Sequence, residues 1–219
     1  MITVYGRATS SNVQLVMWTI GELGLDHERL DYGHAHGGTD TAAYRAMNPN
    51  GRVPTFRETG HPDGDLVMFE SGAIARYLAG RYGDTSFWPA NPVVRARLDV
   101  WCEWVKVTLA PAFAQPIFWT LLSHPPNHDG SAVAKAAENL KPLIQMIEER
   151  IGDGPWMAGD VFTFADIWAG HLLYRYNSLT FSKIDTPALD AYYARLKDRP
   201  AFAEHVMVPF EVLRMWKPG

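Results

Sequence analysis

Residues 48–56, "NPNGRVPTF", decide how the first half of this chain is read. The last four, Val53-Pro54-Thr55-Phe56, look like the opening of a strand, yet Pro54 sits where a sheet ladder needs an N–H donor. Two readings fit. Pro54 is either an ordinary trans proline on an edge strand, or it follows Val53 through a cis bond, which costs an X–Pro peptide only about 0.5–1 kcal/mol. In the second case the bend turns the N–H and C=O of Val53 outward, where an extended peptide can pair with them by strand addition.

Around this stretch, strand patterns fall near 2–5, 27–31, 53–56 and 65–69, and helical patterns near 12–23 and 71–81. The order is β-α-β, a loop with room for a short helix, then β-β-α. A helical crossover makes the first two strands parallel, and the turn-rich "RETGHPDGD" (57–65) suits an antiparallel hairpin. "RYGDTSFWPANP" (81–92) is linker chemistry, rich in Gly and Pro with few apolar positions in register. Beyond it the periodicity is helical. Val94, Leu98, Trp101, Val105 and Leu109 form one buried stripe of a long helix, and further helices fit near 131–151, 163–177, 187–197 and 200–206. Thr163 and Asp166 make a capping box, with Phe162 and Ile167 as its hydrophobic staple, a folding signal without chemistry. The expected organisation is an α/β domain with a mixed four-stranded sheet (1–82), a linker (83–92) and an all-helical domain (93–219).

Bulk properties narrow the function. Of the 219 residues 47% are hydrophobic, enough for a sizeable core, and a net charge of -4 with pI near 6.0 argues against a nucleic-acid surface. Cys102 is the single cysteine, and "MITVYG" lacks the charged and apolar regions of a secretion signal. No run of about 18 apolar residues suggests a membrane span. A reducing, cytoplasmic setting is expected, with small molecules or proteins as partners.

A second stretch, "FESGAIARYLA" (69–79), puts Glu70 and Ser71 directly before a helical run in which Ile74 and Leu78 share a face. Ser71 is the natural N-cap. The free N–H groups of a helix start and a hydroxyl can hold a carboxylate, and Glu70 beside them can hold an ammonium. An α-amino acid head carries both charges on one carbon. Plain capping explains the same residues. The "HAHGG" loop (34–38) can expose backbone N–H groups to an anion, whereas His34 and His36 lack the clustered ligands of a zinc site, so no metal is expected.

Taken together, "NPNGRVPTF", "ESGAIARYL", the "GELGL" ending the first helix and the "FTFAD" cap motif resemble the glutathione transferase family over essentially the whole chain. The resemblance implies a thioredoxin-like first domain, a homodimer, and glutathione as co-substrate. It also implies a cis Pro54, backbone pairing of Val53 with the cysteinyl unit, and Glu70 and Ser71 on the γ-glutamyl head. Arg52, next to Val53, can reach the glycyl carboxylate, or be a solvated surface arginine. The sulfur is then expected over "RATSSNVQ" (7–14), which directs attention to Ser10, Ser11 and Asn12. Ser10 aligns with the activating hydroxyl of serine-type members. Asn12 stands where those keep a proline and where some bacterial relatives keep cysteine or asparagine. Tyr5 lies close enough in sequence to stay in view.

Such a site needs a donor, because a free thiol of pKa about 8.5 is only about 3% ionised at pH 7. Lowering that pKa by about 2 units raises the thiolate to roughly three quarters, a change of about 2.7 kcal/mol. One of residues 10–12 is expected to cap the helix and another to touch sulfur. With no cysteine among them, and Cys102 expected to be a buried apolar residue, glutathione's own sulfur is the expected nucleophile. The segments 101–119 and 208–216 are expected to wall a pocket for an apolar electrophile between the domains, with Trp104, Phe113, Phe118 and Trp119 as candidates, although aromatics at helical spacing are more often core. The alternatives are a glutathione-dependent disulfide or peroxide reductase, and a non-catalytic glutathione or ligand-binding module.

Overall fold

The computed structural model describes residues 1–124 and 130–215, and it divides them into two compact units. The first comprises Met1–Asp84 together with Ala201–Val208, the second the rest. In the first unit, strands β1 (Ile2–Tyr5), β2 (His27–Leu30), β3 (Thr55–Glu58) and β4 (Leu66–Phe69) form one sheet in the order β2-β1-β3-β4. β1 pairs parallel with β2 and β3 antiparallel with β4, as the helical crossover and the hairpin predict, and β1 pairs antiparallel with β3, which completes the mixed sheet. Helices α1 (Ser11–Glu22) and α3 (Ser71–Tyr82) pack against each other, and a short α2 (Ala42–Met47) lies before β3. Ile2 and Val4 of β1, Phe56 of β3, Val13, Val16 and Ile20 of α1, and Ile74 and Leu78 of α3 share one core.

Local chemistry sets these boundaries. α1 stops in a Schellman motif: Leu25 N–H bonds to Ile20 O at 3.1 Å and Gly24 N–H to Gly21 O at 3.1 Å, with Gly24 at φ 62. Glu58, buried at the end of β3, accepts hydrogen bonds from Tyr77 Oη at 2.8 Å and from Tyr82, which fastens the strand to α3. The returning segment is held by Phe202, whose ring meets Trp18 of α1 edge-on at 4.9 Å.

The second unit is helical: α4 (Pro92–Trp104), α5 (Ala110–Phe113), α6 (Thr120–Ser123), α7 (Ser131–Ile151), α8 (Phe164–Gly170), α9 (Leu173–Ser178) and α10 (Pro187–Lys197), with α11 (Pro200–His205) leading back to the first unit. Three expectations are corrected here. The long helix is not uniform, because π-helical turns at Val105–Leu109 and Ala114–Trp119 widen it around Pro111 and Pro116, whose rings cannot continue an ordinary hydrogen-bond ladder. Its stripe begins at Leu98, since Val94 is 44% exposed. The helix expected over 163–177 is two, broken by a turn at His171 and Leu172. The run Pro92–Ser123 is long and apolar enough to cross a membrane by length and composition, yet Val105, Leu109, Phe113, Ile117 and Leu122 along it lie in the core of this unit.

Candidate active site

The Val53–Pro54 bond is cis. β3 starts at Thr55, not at Val53 as the strand pattern suggested, so Pro54 precedes the ladder and withholds no donor from it. Among the described residues, neither the N–H nor the C=O of Val53 has a hydrogen-bond partner. Its neighbour is held firmly instead. The carbonyl of Arg52 accepts from Tyr44 Oη and from Asn48 Nδ2, each at 2.8 Å, while Thr55 Oγ1 accepts from Asn48 Nδ2 at 3.1 Å and donates to Tyr44 Oη at 2.9 Å. All three side chains are buried, and burial raises the pKa of the Tyr44 phenol. This closed polar ring fixes the turn ahead of Pro54, and satisfied buried networks of this kind specify one geometry. Sequence reasoning missed Tyr44, and it quoted Asn48 without giving it a role. The available signal was an Asn-Pro-Asn-Gly turn placed directly before the strand.

Val53 lies against the end of β1. A Cβ on Gly6 would stand 3.2 Å from Val53 Cβ and 2.5 Å from Val13 Cγ2, so the close approach of the edge, the strand end and the first turn of α1 depends on glycine. Ser10 occupies the N-cap of α1, with its N–H on Arg7 O at 3.1 Å and its C=O accepting from Gln14 N–H at 2.8 Å. Its hydroxyl makes no capping bond, contrary to the expectation that a residue of this trio caps the helix, and it has no partner among the described residues. Ser11 and Asn12 begin the helix proper.

At the second helix start the expected roles shift by one. Glu70 is the N-cap of α3, at φ 70 and without a side-chain capping bond, and Ser71 is the first helical residue, not the cap. A positive φ on a glutamate is costly and needs a reason, which ligand-binding positions often supply. Ser71 Oγ donates to Asn12 Oδ1 at 3.5 Å, so the two helix starts meet through these side chains. The carboxylate of Glu70 is exposed. Among the positions singled out in the sequence, Ser10 and Asn12 follow the end of β1 and Val53 precedes the start of β3, so they gather at one end of the two central strands, with Ser71 joined to them through Asn12.

Other expected residues stand apart. The Arg52 side chain is exposed, and His34 and His36 sit exposed on a single 3-10 turn, His34–His36. Tyr5 meets Tyr32 edge-on at 5.5 Å. In the second unit Phe113 and Phe118 are core residues, whereas Trp104 and Trp119 are half-buried. Cys102 is fully buried, with its thiol on Leu98 O at 3.5 Å, as expected of a packing residue. Trp216, at the end of the 208–216 segment, lies outside the described residues.

Comparison with known proteins agrees with this geometry. Residues 4–86 match the glutathione S-transferase N-terminal domain family and residues 111–200 the C-terminal domain family. The chain is 32% identical to glutathione S-transferase GstB of Escherichia coli, over 95% of this chain and 99% of that one. It is 32% identical to glutathione S-transferase 3 of Zea mays, over 94% and 93%. Among solved structures, the theta class glutathione S-transferase of Xanthomonas axonopodis pv. citri, crystallised with glutathione bound, superposes with a TM-score of 0.86 at 36% identity, covering 95% of this chain and 98% of that one. With both halves matched and a relative of this identity aligned almost end to end, the chain belongs to the glutathione S-transferase family.

Proposed function

We propose that this enzyme conjugates glutathione to small apolar electrophiles, with Ser10 as the donor to the sulfur. The reading is carried by the edge before Pro54, where Val53 offers an unpaired N–H and C=O beside an unengaged Ser10 hydroxyl. Val53 would pair with the cysteinyl unit as an added strand does. Glu70 and the start of α3, with Ser71, would take the ammonium and carboxylate of the γ-glutamyl head, charges suited to a carboxylate side chain and a helix N-terminus respectively. Arg52 is free to reach the glycyl carboxylate from its exposed position. Ser10 donates to the sulfur and favours its charged form, while Asn12 and Ser11 hold the helix start around it.

Glutathione supplies the nucleophile: its thiol loses a proton to solvent, and the thiolate pair forms a C–S bond as a leaving group departs with its own pair or an activated double bond takes up the charge. Of the four aromatics expected at the electrophile, Trp104 and Trp119 keep exposed ring surface for this purpose, whereas Phe113 and Phe118 are committed to the core. A homodimer in the cytoplasm completes the proposal. The apolar stripe of Val93 and Val100, seven residues apart on α4 and 61% and 60% exposed, offers a surface for a second copy, and sedimentation velocity reports the assembly.

Calorimetry with glutathione tests binding, and titration of the thiolate absorbance of the complex tests ionisation. A bound thiol pKa below about 7.5 that rises in Ser10→Ala supports the assignment, and an unchanged value in that variant removes Ser10 from it. Turnover of an aromatic halide against a mixed disulfide separates conjugation from reduction. Binding without turnover of any electrophile would leave a ligand-binding module.

A further inference from the structure

The loop between β1 and α1 carries a guanidinium that none of the roles above uses. Arg7 is pinned at both backbone ends, its N–H on Tyr32 O at 3.1 Å and its C=O accepting from Ser10 N–H at 3.1 Å, so Arg7 and Ser10 belong to one tight turn. Its side chain is half-buried. Nε is buried without a hydrogen-bond partner, and among the described residues no carboxylate forms an ion pair with the guanidinium. Asp31, just past the end of β2, is taken by Arg29 at 2.5 Å. Burial alone pulls the Arg7 pKa down, with no acidic neighbour opposing it.

The position of this charge is marked by Gly33, at φ 79. A Cβ built there would lie 3.6 Å from Arg7 Nη1 and 3.2 Å from Val53 Cγ1, so guanidinium and ligand-edge residue border the same small space. A guanidinium partly withdrawn from water with no anion beside it favours the arrival of one. Guanidinium is the cation best suited to this, being weakly hydrated and charged at every working pH.

Resting on the glutathione reading above, we propose that Arg7 supplies the positive charge that keeps the sulfur of bound glutathione ionised, with Ser10 as the hydrogen-bond donor beside it. A cation within about 4–6 Å lowers the pKa of an acidic group by about 1–3 units, which is the size of effect the reaction requires. The other charged or titratable groups around the loop are Tyr5, Tyr32, Arg29, Asp31 and His36. Arg29 and Asp31 neutralise each other, and His36 acts on Asp31, which leaves Arg7 as the uncompensated charge.

The test compares wild type, Arg7→Lys and Arg7→Gln in complex with glutathione, following thiolate absorbance against pH, and in complex with S-methylglutathione, which has no ionisable thiol. The expected result is a bound thiol pKa raised by about one unit in Arg7→Gln and nearly unchanged in Arg7→Lys, with conjugation at pH 6.5 about tenfold slower in the former. S-methylglutathione affinity should stay within about twofold throughout. An unshifted pKa in Arg7→Gln overturns the proposal. So does a tenfold loss of S-methylglutathione affinity, which would make Arg7 a grip on a carboxylate. Should Arg7→Gln fail to fold, Arg7→Met, which keeps the packing of the stem, is titrated in its place. A wild type that binds no glutathione would sink the family-based reading instead, an outcome distinct from all of these.

Discussion

Ser10 and Glu70 are the N-caps of α1 and α3, and Thr163 and Asp166 are the N-cap and third residue of α8, so all four are hydroxyl or carboxylate side chains at a helix start. In the helical unit every polar atom of the motif is engaged. Asp166 accepts from Met157 N–H at 2.8 Å, Thr163 N–H at 2.7 Å and Thr163 Oγ1 at 3.1 Å, and the box closes on itself. In the first unit neither Ser10 nor Glu70 makes a side-chain capping bond, and Glu70 holds a backbone angle unfavourable to it. The difference teaches that residue type at a helix start does not separate a structural role from a ligand-binding one. Whether the polar groups find partners inside the chain does. Four perturbations probe this contrast, in falling order of their effect on folding free energy.

The largest belongs to Asp166. Asp166→Ala strands two buried N–H groups and a hydroxyl, each worth about 1–3 kcal/mol when left unsatisfied, so a loss of about 3–5 kcal/mol is expected in urea unfolding. Glutathione affinity of the fraction that stays folded should be unaltered. A loss below about 1 kcal/mol would mean that the box is ornamental and the contrast void.

Next comes His171, at the turn between α8 and α9, buried with Nδ1 2.7 Å from Trp168 O. Burial lowers its pKa from 6.5 to about 4, whereas burial raises that of Asp166 from 3.8 to about 6. Between pH 6.5 and 4 the unfolded chain binds a proton at His171 that the folded chain refuses. Its stabilisation is therefore complete above pH 6.5 and falls away as pH drops, by up to about 3 kcal/mol. Asp166 acts with the opposite sign: its folded form keeps a proton that the unfolded form has shed, so its contribution weakens as pH rises from about 4 to 6. His171→Gln should leave only the second trend, so its unfolding free energy should hold or rise between pH 7 and pH 5 where the wild type loses stability. Parallel curves for the two proteins would show that His171 does not titrate in this way.

A smaller effect, opposite in direction, is expected at Glu70. Glycine adopts φ 70 without the Cβ penalty, so Glu70→Gly should stabilise the fold by about 1 kcal/mol while weakening glutathione binding at least tenfold. A stabilised variant with undiminished affinity would mean that the strained glutamate serves no ligand.

How far the sequence reveals all this varies with the range of the interaction. The parallel pairing of β1 with β2, the β3–β4 hairpin and the Thr163–Asp166 box are legible because a helical crossover, a hairpin turn and a three-residue spacing are local facts, whereas the long-range pairing of β1 with β3 that sets the strand order is not. Pro54 is legible as an anomaly, a proline where a ladder was expected, and the cis bond with the strand starting at Thr55 resolves it. The shift of the cap from Ser71 to Glu70 is hidden, since a positive φ on a glutamate has no signature in residue type. The ring of Tyr44, Asn48 and Thr55 is hidden too, because a backbone carbonyl, that of Arg52, joins its members. Arg7 shows nothing in the sequence. Its significance is the absence of a partner, which only packing defines.

Ser10→Ala is expected to perturb the fold least and the chemistry most selectively. An N-cap serine usually loses about 1 kcal/mol on truncation because its oxygen caps the helix. Here no capping bond exists to be lost, so the unfolding free energy should change by less than about 0.5 kcal/mol. The same hydroxyl, pointed at a thiolate, favours the charged form, and its removal should raise the pKa of bound glutathione by about one unit and slow conjugation near neutral pH about tenfold. Pairing Ser10→Ala with Arg7→Gln sharpens the result. If hydroxyl and guanidinium act on one sulfur, their pKa shifts should fail to add, since residues serving one anion couple. Strict additivity, with fold stability unchanged in both, would place the two groups on different charges of the ligand.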